Sequence, residues 1–447
     1  MSIPHINHAL ENITTACQIR LSLLYPQGIP KSISSRYSKE LSFLSDSDLI
    51  DDFEIFRLLS EEAKKSSTPI HMRGTIMGSF IYYLLGVNCF NPLPVHYYCP
   101  DCGYYEEVNT HLFGIDLPLK KCPHCGNNIA ADGFNLSVES VWGNDGKKTI
   151  TFDYNISTEF LPFARRVLTS IYPDNSIVPW GMFQLNSGMP ETADDNQIIG
   201  ISPAGYAILP TGNSIQDYPD LISCLEDGEP CVTGGCWELS THLLKTIHLY
   251  PVEHIDKLLK LQRATGIYAN ELSPDILRDI TWSNICNSTL LNNTSRMLFH
   301  ELKPKTFRDM VALDSSSHNS FSWNKIGAGK INLYHFQQMI SSESFKKYPC
   351  FTREDFFDYL LESDIERSLA FVASECIRKG FACSVGERKE RFDALEIPDE
   401  IKEVAGNYLY LFPRAHGIEY ILLYAELAYY AKIDSRVFSK IIFKKKA

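Results

Sequence analysis

The sequence predicts an α+β chain. Its first half mixes helices and strands around an inserted zinc module, and its second half is helical. Three observations carry this reading. Residues Thr149–Ile156 are β-rich and alternate in polarity, as a half-buried strand does. Late in the chain Ile418, Ile421, Leu422, Ala425 and Tyr429 recur at helical spacing. Between these regions and the N-terminus stand two knuckles, Cys99-Pro100-Asp101-Cys102-Gly103 and Cys122-Pro123-His124-Cys125-Gly126. Two C-x2-C pairs so spaced supply four thiolates to one tetrahedral zinc ion. A closed four-cysteine site has no open coordination position, so its role is structural. The alternatives at this point are a pair of disulfides or a redox C-x-x-C.

Taken in order, residues 12–70 read as helical, with Phe53, Phe56, Leu58 and Leu59 at apolar spacing and a charged end at Glu61–Lys65. The segment Arg73–Phe80 leads into a helical run, Ile81–Leu85, which Asn91-Pro92-Leu93-Pro94 forbids from continuing. The zinc region covers 95–135. The strand 149–156 is followed by a helix over Phe160–Ile171. Residues 173–236 are rich in Gly, Pro, Asn and Asp, with strand-like runs at Ile198–Ile201 and Tyr206–Leu209. From 240 onward helices are predicted, among them Pro251–Leu261, Phe356–Leu361, Leu369–Lys379, Glu400–Leu411 and Ile418–Ala431. The implied segments are 1–94, 95–135, 136–250 and 251–447.

The chain has 447 residues, of which 44% are hydrophobic, enough for a large core. Its net charge of -12, from 42 basic and 54 acidic residues, gives no global field for nucleic acid, so any such binding needs local patches. The N-terminus lacks a charged region followed by an apolar run, and no apolar stretch is long enough to span a bilayer, so a soluble cytoplasmic protein without membrane contact is expected. Cys224, Cys231 and Cys236 lack paired spacing and read as free thiols.

The order of motifs resembles one family. Gly86–Pro100, running GVNCFNPLPVHYYCP, is similar to the PolC-type (C-family) bacterial DNA polymerase III alpha subunit. So, in the same order, are Arg73-Gly74-Thr75 with Gly78-Ser79-Phe80, the strand around Asp153-Tyr154-Asn155, Leu302–Phe307, Ser368–Phe371 with Ile377–Gly380, and Phe412–His416 with Tyr420. The resemblance covers about residues 15–440. It implies a nucleotidyltransferase-like palm sheet with the zinc module inserted, then mostly helical fingers, and only that portion of the family's architecture. It also implies bacterial DNA replication as the setting.

Two-metal nucleotidyl transfer needs carboxylates that hold two divalent cations. The family places two aspartates at i and i+2 on a strand, facing one side. Here the first position is Thr151 and the second is Asp153. A neutral hydroxyl does not replace a carboxylate toward a hard dication. The family's third aspartate follows a Leu-Leu-Lys run; here Leu243-Leu244-Lys245 precedes Thr246-Ile247-His248, so Ile247 or His248 takes its place. Asp145 or Glu159 would have to substitute. By resemblance, Arg73, Gly74, Gly78 and Ser79 would meet a triphosphate at a helix start. Arg378, Lys379, Arg414 and His416 would lie near nucleotide or template phosphate. Met77 crowds the first set and Phe381 interrupts the second, and the family's His-Pro-Gly-Gly loop reads Ser202-Pro203-Ala204-Gly205. The tail Lys444–Lys446 is a further phosphate-contact candidate.

The resulting expectation is a pseudoenzyme of PolC type. It binds DNA, nucleotide or a replication or mobile-element protein without efficient DNA synthesis. It carries structural Zn2+, with Mg2+ only if active. The competing readings are an active DNA polymerase with relocated metal ligands and a protein-interaction or decoy module.

Overall fold

The computed structural model describes residues 3–185, 198–268, 277–287, 291–323 and 331–443. Three helices, Ala9–Leu24, Lys31–Ser45 and Ile50–Lys65, fill the predicted N-terminal helical stretch. The edge strand β1 (Ile70–Arg73) follows. The zinc region contributes the short strands β2 (His96–Tyr98), β3 (Tyr105–Glu107), β4 (Lys120–Lys121), β5 (Asn128–Ile129) and β6 (Ala131–Asp132). The main sheet is completed by β7 (Asp153–Ile156), β8 (Ile177–Leu185), β9 (Ile198–Ile208), β10 (Ile222–Cys224), β11 (Pro230–Thr233) and β12 (Lys245–Pro251).

The main sheet has the strand order β1-β7-β12-β9-β8-β11-β10. The pairs β7–β12 and β8–β11 are parallel and the others antiparallel, so the sheet is mixed. The fold is therefore mixed α+β.

Four local expectations are corrected. Helices were expected from 240 onward, but Lys245–Pro251 is the interior strand β12. Its Ile247 and Leu249 are buried while Thr246, His248 and Tyr250 are half-buried, the alternation a sheet imposes. The runs at 198–201 and 206–209 are one strand, β9, because the β8–β9 register slips where Trp180 faces Gly205 and Gly181 faces Pro203. Ala204 is thus the extra residue of a bulge, and such an irregularity is where a sheet tolerates a proline, here the adjacent Pro203. The predicted strand 149–156 forms a ladder only over Asp153–Ile156, so Thr151 precedes it. The predicted helix 400–411 ends at Ala405, and Tyr408–Tyr410 is β14, paired with β13 (Ser320–Phe321).

Other helices form where the sequence caps them. Thr306 accepts a hydrogen bond from Asp309 N while Asp309 accepts from Thr306 N, a reciprocal capping box that starts Phe307–His318. The helix Arg414–Ile433 is apolar on most sides because it runs through the core, with Ile418, Ile421 and Ala425 fully buried. One core is continuous from Ile13 to Ala428 and joins the N-terminal helices, the sheet and the C-terminal helices. Among the described residues no helix is long and apolar enough to cross a membrane.

Candidate functional site

Three adjacent strands place Arg73, Asp153 and His248 side by side. Arg73 stands opposite Asp153 across the β1–β7 ladder, and His248 opposite Asp153 across β7–β12. The two oxygens of Asp153 are both engaged. His248 Nδ1 donates to Oδ1 at 2.6 Å, and Arg73 Nε lies 3.8 Å from Oδ2. The other imidazole nitrogen, Nε2, is 2.8 Å from Thr246 Oγ1. Arg73 is held by stacking, its guanidinium carbon 4.5 Å from the Tyr250 ring centre. A dication at Asp153 would meet a guanidinium and an imidazole whose nitrogens both have partners, where two-metal chemistry places carboxylates. Thr151 is exposed just before the strand, and its hydroxyl would be 3.9 Å from a Cβ on Gly74. Asp145 accepts from Lys147 N, and Glu159 pairs with Arg263. Among the described residues, the four zinc-region cysteines are the only group of three or more His, Cys, Asp or Glu with ligand atoms gathered for one ion.

Trp180 packs on His248 with ring centres 4.8 Å apart. It reaches across β9 because the intervening residue is Gly205, paired with Trp180 on one side and His248 on the other. Gly205 has φ +129°, and a Cβ there would fall 2.0 Å from Ile247 O. The segment aligned with the family's glycine-rich loop is therefore a strand position that excludes any side chain. Gly205→Ala is expected to destabilise the fold by about 2 kcal/mol or more, since a strained positive φ alone costs about 1–3 kcal/mol. Urea denaturation checks this; an unchanged midpoint would refute it.

The Gly78-Ser79 segment is placed differently from the expectation. Ser79 does cap a helix, Phe80–Leu84, but it is fully buried and an internal anion already occupies that helix start. Ser79 Oγ donates to Glu40 Oε2 at 2.7 Å, and Phe80 N donates to the same carboxylate at 3.0 Å. Arg36 closes the arrangement, with Nε 2.6 Å from Glu40 Oε1 and Nη2 donating to Gly78 O. A Cβ on Gly78 would lie 2.9 Å from Val141 Cγ2. The helix dipole and free amides are satisfied by Glu40, so no phosphate is needed there. Nothing local in the sequence marks Glu40, which lies on a separate helix.

The basic candidates divide. Arg414 is 2% exposed, and its Nη2 donates to Asp355 Oδ1 at 2.8 Å and Asp358 Oδ2 at 2.7 Å. Its guanidinium ties helices together inside the protein. His416 stacks between Phe412 and Tyr420, with ring centres 4.6 and 4.9 Å away. Burial, with the charges of Arg73 and His318, pulls its imidazole down to about 3, so it is neutral at neutral pH. Arg378 forks onto Glu375, and Lys379 is exposed at the end of the helix Arg367–Arg378. Lys379 lines a cleft of about 580 Å³ together with Lys147, Lys148 and Arg391. Burial, reinforced by Arg353, pulls the Lys148 ammonium down to about 7. The sequence reading missed Lys147, Lys148 and Arg391, because they come from a loop and a helix far apart in the chain. The tail Lys444–Lys446 lies outside the described residues.

The four cysteines of the zinc region converge, with all Sγ atoms within 4.8 Å of one another. Cys99 Sγ is 3.5 Å from Cys125 Sγ, and Cys102 Sγ is 3.5 Å from Cys122 Sγ. All four are free thiols rather than disulfides. Gly103 and Gly126, at φ +75° and +78°, turn the two knuckles in the same way. Burial opposes the Cys122 thiolate, but N–H groups of Cys125 and His124 outweigh it and bring the thiol to about 6. This donor set fits a tetrahedral thiophilic cation.

No protein-family model matches the chain. Among curated proteins it is similar to the PolC-type DNA polymerase III of Bacillus subtilis, at 25% identity over 489 residues, covering 96% of this chain and 32% of that protein. The PolC-type DNA polymerase III of Thermotoga maritima is 24% identical over 483 residues, covering 96% of this chain and 34% of that protein. That of Ureaplasma parvum is 24% identical and covers 92% of this chain. The chain is a distant PolC-like relative. It spans about a third of the length of the curated relatives it matches.

Proposed function

We propose that this PolC-like chain binds nucleic acid on a palm-like sheet and an adjoining basic cleft, without efficient DNA synthesis. One observation carries the reading: Asp153, the carboxylate left at the family's metal position, is bound by His248 at 2.6 Å and flanked by Arg73 at 3.8 Å. At this point the carboxylate is engaged by an imidazole and a guanidinium where catalysis would need further carboxylates. That arrangement favours a phosphate approaching Arg73 over a pair of Mg2+ ions. Lys147, Lys379 and Arg391, all exposed, supply a second set of phosphate contacts despite the net charge of -12. In this reading β1, β7 and β12 are the palm-like part, the helices after residue 251 are the fingers-like part, and the cysteine cluster holds structural zinc.

The test is DNA binding and primer extension measured together, for the wild type, Asp153→Ala and Lys379→Glu. Binding should persist without added Mg2+ or Mn2+. Its affinity should fall steeply with salt, with a slope near -0.9 per phosphate contact on duplex DNA, and Lys379→Glu should shallow that slope. No extension should appear with Mg2+ or Mn2+. Metal-dependent extension lost in Asp153→Ala would instead establish the polymerase reading. Absence of DNA binding at low salt would leave a module for a replication or mobile-element protein.

A further inference from the structure

A second site lies on the other end of β1. His71 shares the face of Arg73, two residues away, but points into a cavity of about 360 Å³ among β1, the helix Glu253–Thr265 and the helix Arg414–Ile433. This volume is in the range of small-molecule sites. Its floor offers acceptors without donors. Gln262 is 3% exposed, and among the described residues its Oε1 has no hydrogen-bond partner. Glu426 places Oε2 3.4 Å from His71 Nε2, and among the described residues this buried oxygen accepts no hydrogen bond. His71 is itself held by Glu419, which bonds its Nδ1.

The rim offers the opposite. Arg20 and Lys64 are exposed there, and among the described residues neither pairs with a carboxylate within ion-pair distance. Lys64 Nζ donates to Gly86 O at 2.8 Å. Burial and the nearby Arg20 charge lower the Lys64 ammonium, and the Glu61 carboxylate does not offset them. Tyr83 and Tyr268 supply ring walls between floor and rim. Buried acceptors lacking donors are costly, and two neighbouring exposed cations attract an anion, so one ligand would meet both.

We propose that this cavity binds a small molecule with a planar head of paired N–H donors and an anionic tail. The head faces Glu426 and Gln262, and the tail faces Arg20 and Lys64. A guanidinium on an amino acid and the donor edge of guanine on a nucleotide share this chemistry. Calorimetry on the whole chain with L-arginine and guanosine 5′-monophosphate separates the two sources. Agmatine, without the carboxylate, and adenosine 5′-monophosphate, without the paired donors, are the controls. One of the two probes should bind, its control should bind at least about tenfold more weakly, and Glu426→Gln and Lys64→Ala should each weaken it by about tenfold or more. Lys64 is at the surface, so its variant keeps the test valid if Glu426→Gln fails to fold. No heat from either probe at about 10 mM, or affinity unchanged in Lys64→Ala, overturns the site.

Discussion

Replacing Cys122 with Ser is expected to unfold the zinc region as a unit. The region has two small sheets, β3-β2-β6 and β4-β5, and a satellite core of Tyr97, Cys99, Cys122, Ile129 and Ala131. A core of this size does not hold so short a segment without a cross-link. Structural zinc contributes about 10–16 kcal/mol of apparent binding free energy in small zinc domains, so losing a ligand should remove most of the order of residues 95–135. Metal analysis of the wild type should find about one zinc per chain. In Cys122→Ser, zinc should be lost and limited proteolysis should cut within the region. The damage should spread to one helix. Asp116, from the zinc region, caps Phe307–His318 by accepting from Phe307 N at 2.5 Å and Arg308 N at 3.1 Å. Unchanged zinc content and stability in Cys122→Ser would rule the site out.

The second large effect is expected at Arg414. Arg414→Met should lower stability by about 3–5 kcal/mol, the usual consequence of breaking one side of a buried ion pair. The partners left behind, Asp355 and Asp358, lie on the helix Arg353–Glu362, and Asp355 is also paired with Arg308. Burial raises the Asp355 carboxyl, but Arg308 and Arg414 outweigh it and hold it at about 2, below its ordinary 3.8. A carboxyl lowered on folding adds stability above its unfolded pKa and loses it as pH falls toward the folded value. This group should therefore contribute about 2 kcal/mol that is full above pH about 4 and fades toward pH 2. Urea midpoints from pH 5 to pH 2 measure it, and Arg414→Met should flatten the acid limb. A stable Arg414→Met protein with a weakened DNA salt slope would mean that Arg414 meets phosphate instead.

Legibility followed the range of the interaction that decides each feature. The cysteine knuckles are local patterns, and their convergence was readable because four ligands of one ion leave little freedom. The helix at 414–433 was readable because its apolar period is contained in the segment itself. The strand β12 was not. Its seven residues alternate, but they abut a helical pattern, and their partner β7 lies far back in the chain. Through the Leu243-Leu244-Lys245 landmark, the position where the resemblance expects an acid was readable as Ile247 or His248. That His248 Nδ1 bonds Asp153 depends on the register of two parallel strands.

The same distinction separates Ser79 from Arg73. Both lie in one motif, yet Glu40 fills the helix start beside Ser79, while Arg73 remains 35% exposed over Asp153. Only packing reveals which polar group is already engaged, because a side chain held by a buried carboxylate looks identical in sequence to one that faces solvent.

By itself the sequence determined the α+β division, the four-cysteine quartet, the PolC-like resemblance and the non-acidic residues at two positions where that resemblance expects acids. Each rests on residue identity or short-range spacing. The tertiary structure alone decided that Asp153 is paired with His248 and Arg73, that Glu40 occupies the expected phosphate position, and that Arg414 is internal. It also decided that Lys147 and Arg391 join Lys379 in one cleft. These are long-range contacts, set by strand register and by the shared core, and no local pattern encodes them.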